Sequence, residues 1–204
     1  MVKTIVLFYL ICCIVFAEDS DKTLTELNEK SHIINKASEA FNINPLVLAA
    51  IIFTERSMNY DWSDAALDVV IAKRGYNSSI GFCQIKLKTA YWIELQLNDT
   101  SSVFFPGGNY ALFEISASPD RLIEKLQKDS LNILYAAAYI RIIQSYWEKM
   151  SFPLNDRPEI VGTLYSIGLF KEDGMPRAPH QSPKANLFGK KVKDNLKILA
   201  PIIN

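Results

Sequence analysis

Cysteine is nearly absent from the part of this chain that would fold. Two of its three cysteines, Cys12 and Cys13, lie in the apolar opening stretch, and only Cys83 follows. Without that stretch there is no internal disulfide, so packing alone must hold an exported domain together. Histidine is equally scarce. His32 and His180 are far apart, with no cysteine or histidine at ligand spacing. That excludes a zinc site, and no metal or cofactor is expected. Charge of one sign is not in excess either: 22 basic residues face 22 acidic ones. A nucleic-acid binder would show a basic surplus, so that partner class is excluded. Strand signals are few, and there is no repeat, coiled coil or second domain.

The long apolar run from Ile5 to Phe16 stands apart. It follows Lys3 and ends in Val15-Phe16-Ala17, which offers small residues at the usual cleavage positions. Residues 1–17 therefore read as a secretory signal peptide, too short for a comfortable membrane span. A retained N-terminal anchor is the alternative. Cys12 and Cys13 lack the preceding small residue that lipoprotein processing prefers. Residues 18–204 would then form the mature domain, secreted or periplasmic and one unit negative. Its length suits one well-filled core.

Apolar spacing predicts a mainly α domain. A polar lead runs from Glu18 to Lys30, and helices are expected over Ser31–Phe41, from Pro45 past Glu55, and over Ala65–Ala72. Gly75 to Ser79 is loop-like, and Ile80–Ile85 is short and apolar. Further helices are expected over Lys86–Leu97, Pro119–Leu126, Ser130–Met150, Asp156–Ile167 and Ala185–Ile203. Asp156 is the expected N-cap of its helix and Gly168 its C-terminal stop. The loop Asn98–Asn109 carries Phe104 and Phe105, either exposed or capping the core. Glu172–Lys184 is a proline-rich loop.

Glu55 is the residue that points to chemistry. Asn44 is a favoured N-cap and Pro45 a favoured first helical residue. At about 3.6 residues per turn, Leu48, Ile51, Ile52 and Glu55 share one stripe. A carboxylate there loses hydration, and a place in the helix's last turn is unfavourable for an anion. Both effects predict a raised pKa, as a general acid requires. An ordinary solvent-facing Glu is the competing reading.

Four segments in order carry a family resemblance. Phe41-Asn42-Ile43-Asn44-Pro45 through Glu55-Arg56-Ser57 resembles the helix that ends in a catalytic Glu. Ser79-Ile80-Gly81-Phe82-Cys83-Gln84-Ile85 resembles a Gly-Leu-Met-Gln turn. Asn132-Ile133 with Ala136, Tyr139 and Ile140 resembles an Asn-Ile-x-x-Gly-x-x-Tyr-Leu helix, and Tyr165-Ser166-Ile167-Gly168 a Tyr-Asn-x-Gly segment. Together they resemble a lytic transglycosylase of the soluble, lysozyme-like superfamily, which includes goose-type lysozymes. The chain departs from that pattern where Arg56 stands in place of Ser, Cys83 of Met, Ala136 of Gly and Ser166 of Asn. The Glu55–Gln84 interval is also long.

The resemblance implies a lysozyme-like domain with a minor β or irregular segment beside the cleft. It also implies peptidoglycan glycan strands as substrate, with cell-envelope proteins as a further partner class. Glu55 would protonate the glycosidic oxygen of the β-1,4 bond between N-acetylmuramic acid and N-acetylglucosamine, then accept the C6 hydroxyl proton to give a 1,6-anhydro end. Gln84, Tyr165 and, more weakly, Tyr139 would bind substrate. Ser57 is displaced by about 100° around the helix from the family's Ser and stays outside this set. Two alternatives stay open. One is a hydrolytic muramidase supported by Asp61, Asp64 or Asp68. The other is an inactive glycan-binding or cell-envelope module. Tyr60, Trp62, Phe82 and Tyr110 are candidates for stacking on sugar faces, or plain core.

Overall fold

The computed structural model describes residues 20–59, 65–73, 77–109 and 113–203. The signal-peptide segment, Tyr60, Asp61, Trp62, Asp64 and Tyr110 lie outside the described residues. The described chain is mainly α, with one two-stranded antiparallel sheet. Helix α1 covers 20–29. It is followed by α2 (Ser31–Phe41), α3 (Pro45–Asn59) and α4 (Ala65–Lys73). Strands β1 (Ser79–Ile80) and β2 (Ile85–Lys86) precede α5 (Leu87–Asn98), α6 (Pro119–Leu126), α7 (Asp129–Lys149), α8 (Pro158–Ile167) and α9 (Leu187–Leu199). Among the described residues no helix is long and apolar enough to cross a membrane.

Helix α3 starts as its sequence dictates. The Asn44 side chain accepts from Leu46 N at 2.9 Å, and Pro45 opens the helix. Its burial is wider than the expected stripe. Val47 through Phe53 are all buried, because α2, α7, α8 and α9 pack around the helix. A helix apolar on every side belongs in the core. The side chain of Thr54 is also buried, donating to Ala50 O at 2.6 Å and accepting from Asn195 of α9 at 3.0 Å. Only at Glu55 does partial exposure begin. The helix continues to Asn59, so Glu55 lies about a turn before the end rather than in the last turn.

Other boundaries moved for identifiable reasons. Asp156 is not an N-cap: α8 starts at Pro158, and Arg157 precedes it without a side-chain cap. Arg157 N bonds Leu154 O at 3.0 Å in a turn, and a residue before proline is kept out of helical geometry. Helix α9 is shorter than the expected Ala185–Ile203. Asn186 caps it by accepting from Gly189 N at 2.8 Å, and it ends just ahead of Pro201. Gly189 lets α9 approach α8, since a Cβ there would sit 2.0 Å from Glu159 O.

Phe104 does cap the core. Its ring lies 4.7 to 5.4 Å from those of Tyr146, Trp92 and Phe170. Lys149 of α7 pins this loop by donating to Val103 O and Phe105 O.

Candidate active-site cleft

The apolar segment 80–85 is a tight hairpin, with Ser79 opposite Lys86 and Ile80 opposite Ile85. Gly81, at φ +75°, turns the chain, and Gln84 adopts φ +52°. A Cβ on Gly81 would lie 2.3 Å from Leu126 O and 2.4 Å from Asn132 Nδ2, so only glycine fits both backbone and space. Asn132 is fully buried and clamps the turn to α7. Its Oδ1 accepts from Cys83 N at 2.6 Å, while Nδ2 donates to Ile80 O and Leu126 O, each at 2.9 Å. The Gly and Asn of two separate sequence motifs thus form one contact.

Arg56, which departs from the family pattern, holds the turn from the other side. Its guanidinium is buried, donates to Phe82 O at 3.1 Å and pairs with Glu26 of α1 at 2.7 Å. It also stacks over the Phe82 ring, 4.3 Å from the centroid. Phe82 is therefore core beneath a cation. Cys83 is fully buried in the same turn, and burial pushes its thiol well above its ordinary range, opposed by Arg56. It remains a neutral, space-filling group.

Between this hairpin and the ends of α3 and α8 lies a cleft of about 480 Å³. That volume falls within the usual range of small-molecule sites. Glu55 lines it from α3, Gln84 from the turn, Tyr139 from α7 and Tyr165 from α8. The structure thus brings all four expected site residues to one cavity. Ser79, Lys86 and Thr89 complete the hairpin side, and Ser166, Ile167 and Gly168 the α8 side. Ser79, Ser166, Ile167 and Gly168 belong to the family-like segments but were not expected to line the site, and Lys86, expected to open a helix, instead ends β2. Ser57 does not line the cleft. Asp61 and Asp64 lie outside the described residues, and so does the Asp68 side chain.

The two tyrosines form one wall, their ring centroids 5.5 Å apart. Trp92 stands behind Tyr139, with centroids 6.2 Å apart. Burial pushes the Tyr139 phenol up to about 12, against a smaller opposing effect of a hydrogen bond with the Leu169 backbone and of Arg177. Tyr165 is pushed well above its ordinary value, first by burial, then by Cys83 and the Glu55 carboxylate. Both phenols stay protonated at neutral pH. Tyr165 donates to Cys83 O at 3.4 Å, joining α8 to the turn. Gln84 donates from Nε2 to Gly81 O at 3.1 Å, so its nitrogen braces the turn.

Ser166, where the family pattern has Asn, is exposed at the rim, donating to Thr163 O and accepting from Asn186 Nδ2 at 2.9 Å. Asn186 thus places an amide beside that position from the next helix. Among the described residues no group of three or more His, Cys, Asp or Glu is arranged to hold a metal ion.

A second carboxylate, missed in the sequence, is fully buried on α5. Glu94 accepts from Ser116 N at 2.7 Å, Ser116 Oγ at 2.8 Å, Lys125 Nζ at 2.7 Å and the Tyr135 hydroxyl. Burial alone would raise its pKa, but these donors together bring it below the ordinary 4.5. It does not line the cleft.

No curated protein matches this chain. A family model described as "T6SS, Peptidoglycan muramidase Tse3, catalytic domain" matches residues 17–145, which take in Glu55, Gln84, Asn132 and Tyr139 and stop short of Tyr165. With well over half the sequence matched and a helical domain carrying a cleft at Glu55, the chain belongs to this lysozyme-like, peptidoglycan-cleaving family.

Proposed function

We propose that the chain cuts the β-1,4 bond between N-acetylmuramic acid and N-acetylglucosamine, with Glu55 as general acid. The observation that carries this reading is the single cleft that gathers Glu55, Gln84, Tyr139 and Tyr165 from four separate elements. Glu55 is the one carboxylate among the described residues lining that cleft, and it projects from a helix fixed on all sides by the core. A rigid support of this kind holds an acid in place without reorganisation.

In the reading we favour, protonated Glu55 donates to the glycosidic oxygen as the bond to C1 breaks and positive charge develops on the sugar. The same carboxylate then takes the C6 hydroxyl proton of the muramyl residue. That oxygen closes on C1, giving a 1,6-anhydro end and regenerating the acid. One carboxylate suffices because the nucleophile belongs to the substrate. Gln84, its nitrogen committed to the turn, offers an amide oxygen to a sugar N–H. Tyr139 and Tyr165 supply a protonated, aromatic wall.

The family's description as a muramidase supports a second reading, in which water replaces the C6 hydroxyl and the product has a reducing end. That route uses a second carboxylate, for which Asp61, Asp64 and Asp68 are the candidates. In either reading the chain acts where peptidoglycan is, in the periplasm or on a cell wall, and residues 1–17 would export it.

Mass spectrometry of purified peptidoglycan after digestion separates the two. Anhydro ends from the native chain, absent with Glu55→Gln, are expected. Reducing ends would establish the hydrolytic route. Intact strands from several wall sources, bound but uncut, would leave only a glycan-binding module.

A further inference from the structure

The charged residues among those lining the cleft are two: Glu55 on α3 and Lys86 on β2. Lys86 sits directly across the hairpin from Ser79. Residues opposed on an antiparallel pair share one face, so Lys86 and Ser79 present their side chains to the same side of the hairpin. Thr89, in the first turn of α5, adds a second hydroxyl to the cavity lining. Ile85 alternates inward and is almost fully buried, which fixes the register that turns Lys86 outward. Lys86 is exposed, and no ion pair among the described residues includes it. Among the described residues, then, no carboxylate is paired with this ammonium.

Resting on the functional reading above, we propose that Lys86, with Ser79 and Thr89, receives a carboxylate carried by the muramyl residue and so selects which strands are cut. N-acetylglucosamine is neutral. Carboxylates on this polymer come either from the stem peptide or, where that peptide has been removed, from the bare lactyl group. Glu55, when ionised, repels such a group from its own side of the cleft, while Lys86 attracts it. The pair thereby sets which way the strand lies across the acid. An ammonium beside two hydroxyls can meet a carboxylate with three charge-assisted hydrogen bonds, one of them also an ion pair.

The test compares Lys86→Gln and Lys86→Arg with the native chain on two substrates, peptide-bearing strands and strands stripped by an amidase. Lys86→Gln is expected to raise KM about fivefold on the substrate whose carboxylate is bound, with kcat nearly unchanged, the scale of one partly solvated ion pair. Lys86→Arg should restore most of the loss, and added salt should erode the native advantage. The substrate affected identifies the source, peptide or lactyl. Equal KM for native and Lys86→Gln on both substrates overturns the proposal.

A binding measurement separates this from the functional reading. NMR titration of a soluble muramyl-peptide disaccharide and of neutral chitobiose should show a preference for the anionic fragment that Lys86→Gln abolishes. That preference without any cleavage would sink the enzymatic reading and keep the carboxylate site. No preference in the native chain would sink the site, whatever the activity.

Discussion

Glu55 and Glu94 are both carboxylates on helices among apolar neighbours, and the fold treats them in opposite ways. Glu94 shares its stripe with Ala90, Ile93 and Leu97, all buried, and is itself fully enclosed. Donors from Ser116, Lys125 and Tyr135 surround it, so burial is more than offset and the anion is stabilised. Glu55 emerges where the core ends, half exposed on the wall of a cleft. An enclosed carboxylate bonded by several donors serves as a structural anchor. One on a cavity wall is accessible to a substrate. Apolar neighbours along the helix do not distinguish them; what encloses the carboxylate does.

Reciprocal substitutions break or sharpen this contrast. Glu55→Gln should lower strand cleavage by roughly 10²–10⁴-fold, the usual range for a general acid, with a thermal midpoint close to native. A large stability loss instead would place Glu55 in the same structural class as Glu94. Glu94→Ala should do the reverse, costing about 3 kcal/mol in denaturant unfolding, because Lys125 and the Tyr135 hydroxyl lose their shared acceptor. Its activity should follow the folded fraction.

The pH dependence carries the same signature. Glu94 is held below 4.5 in the folded state, so its stabilisation is complete above that value and is lost as pH falls through the lowered one. The native chain should lose stability there, and Glu94→Ala should show a flatter profile over that window.

Smaller effects concern how the cleft is held. Gly81→Ala forces a Cβ against Leu126 O and Asn132 at positive φ, for an expected cost of about 2 kcal/mol. Because Gln84 ends the same turn, cleavage should fall further than the folded fraction alone explains. Equal loss of both would mean the turn matters only for folding. Tyr165→Phe removes one long hydrogen bond, to Cys83 O, and should change stability by about 0.5 kcal/mol. An activity loss beyond tenfold would give the phenol a direct part in the chemistry.

The departures from the family pattern were legible in the sequence, but their meaning was not. Arg56 read as an intrusion beside the acid. In the fold it is a clamp, reaching Glu26 and Phe82 across long sequence separations. Ser166 read as a lost amide, yet Asn186 supplies one from the following helix. Glu94 escaped notice because its donors come from three other segments, and no local pattern records them. Asp156 misled for the opposite reason. A good capping residue was present, and Pro158 two positions later decided where the helix began.

The sequence by itself determined the helices, the Asn44–Pro45 start of the central one and the place of Glu55 along the chain. These follow from periodicity and capping, which act over a few residues. Only the tertiary structure decided that Glu55, Gln84, Tyr139 and Tyr165 meet at one cleft, that Lys86 faces it, and that Glu94 does not. Those outcomes depend on packing between distant segments, where the charge and exposure of each side chain are set by neighbours that local sequence does not specify.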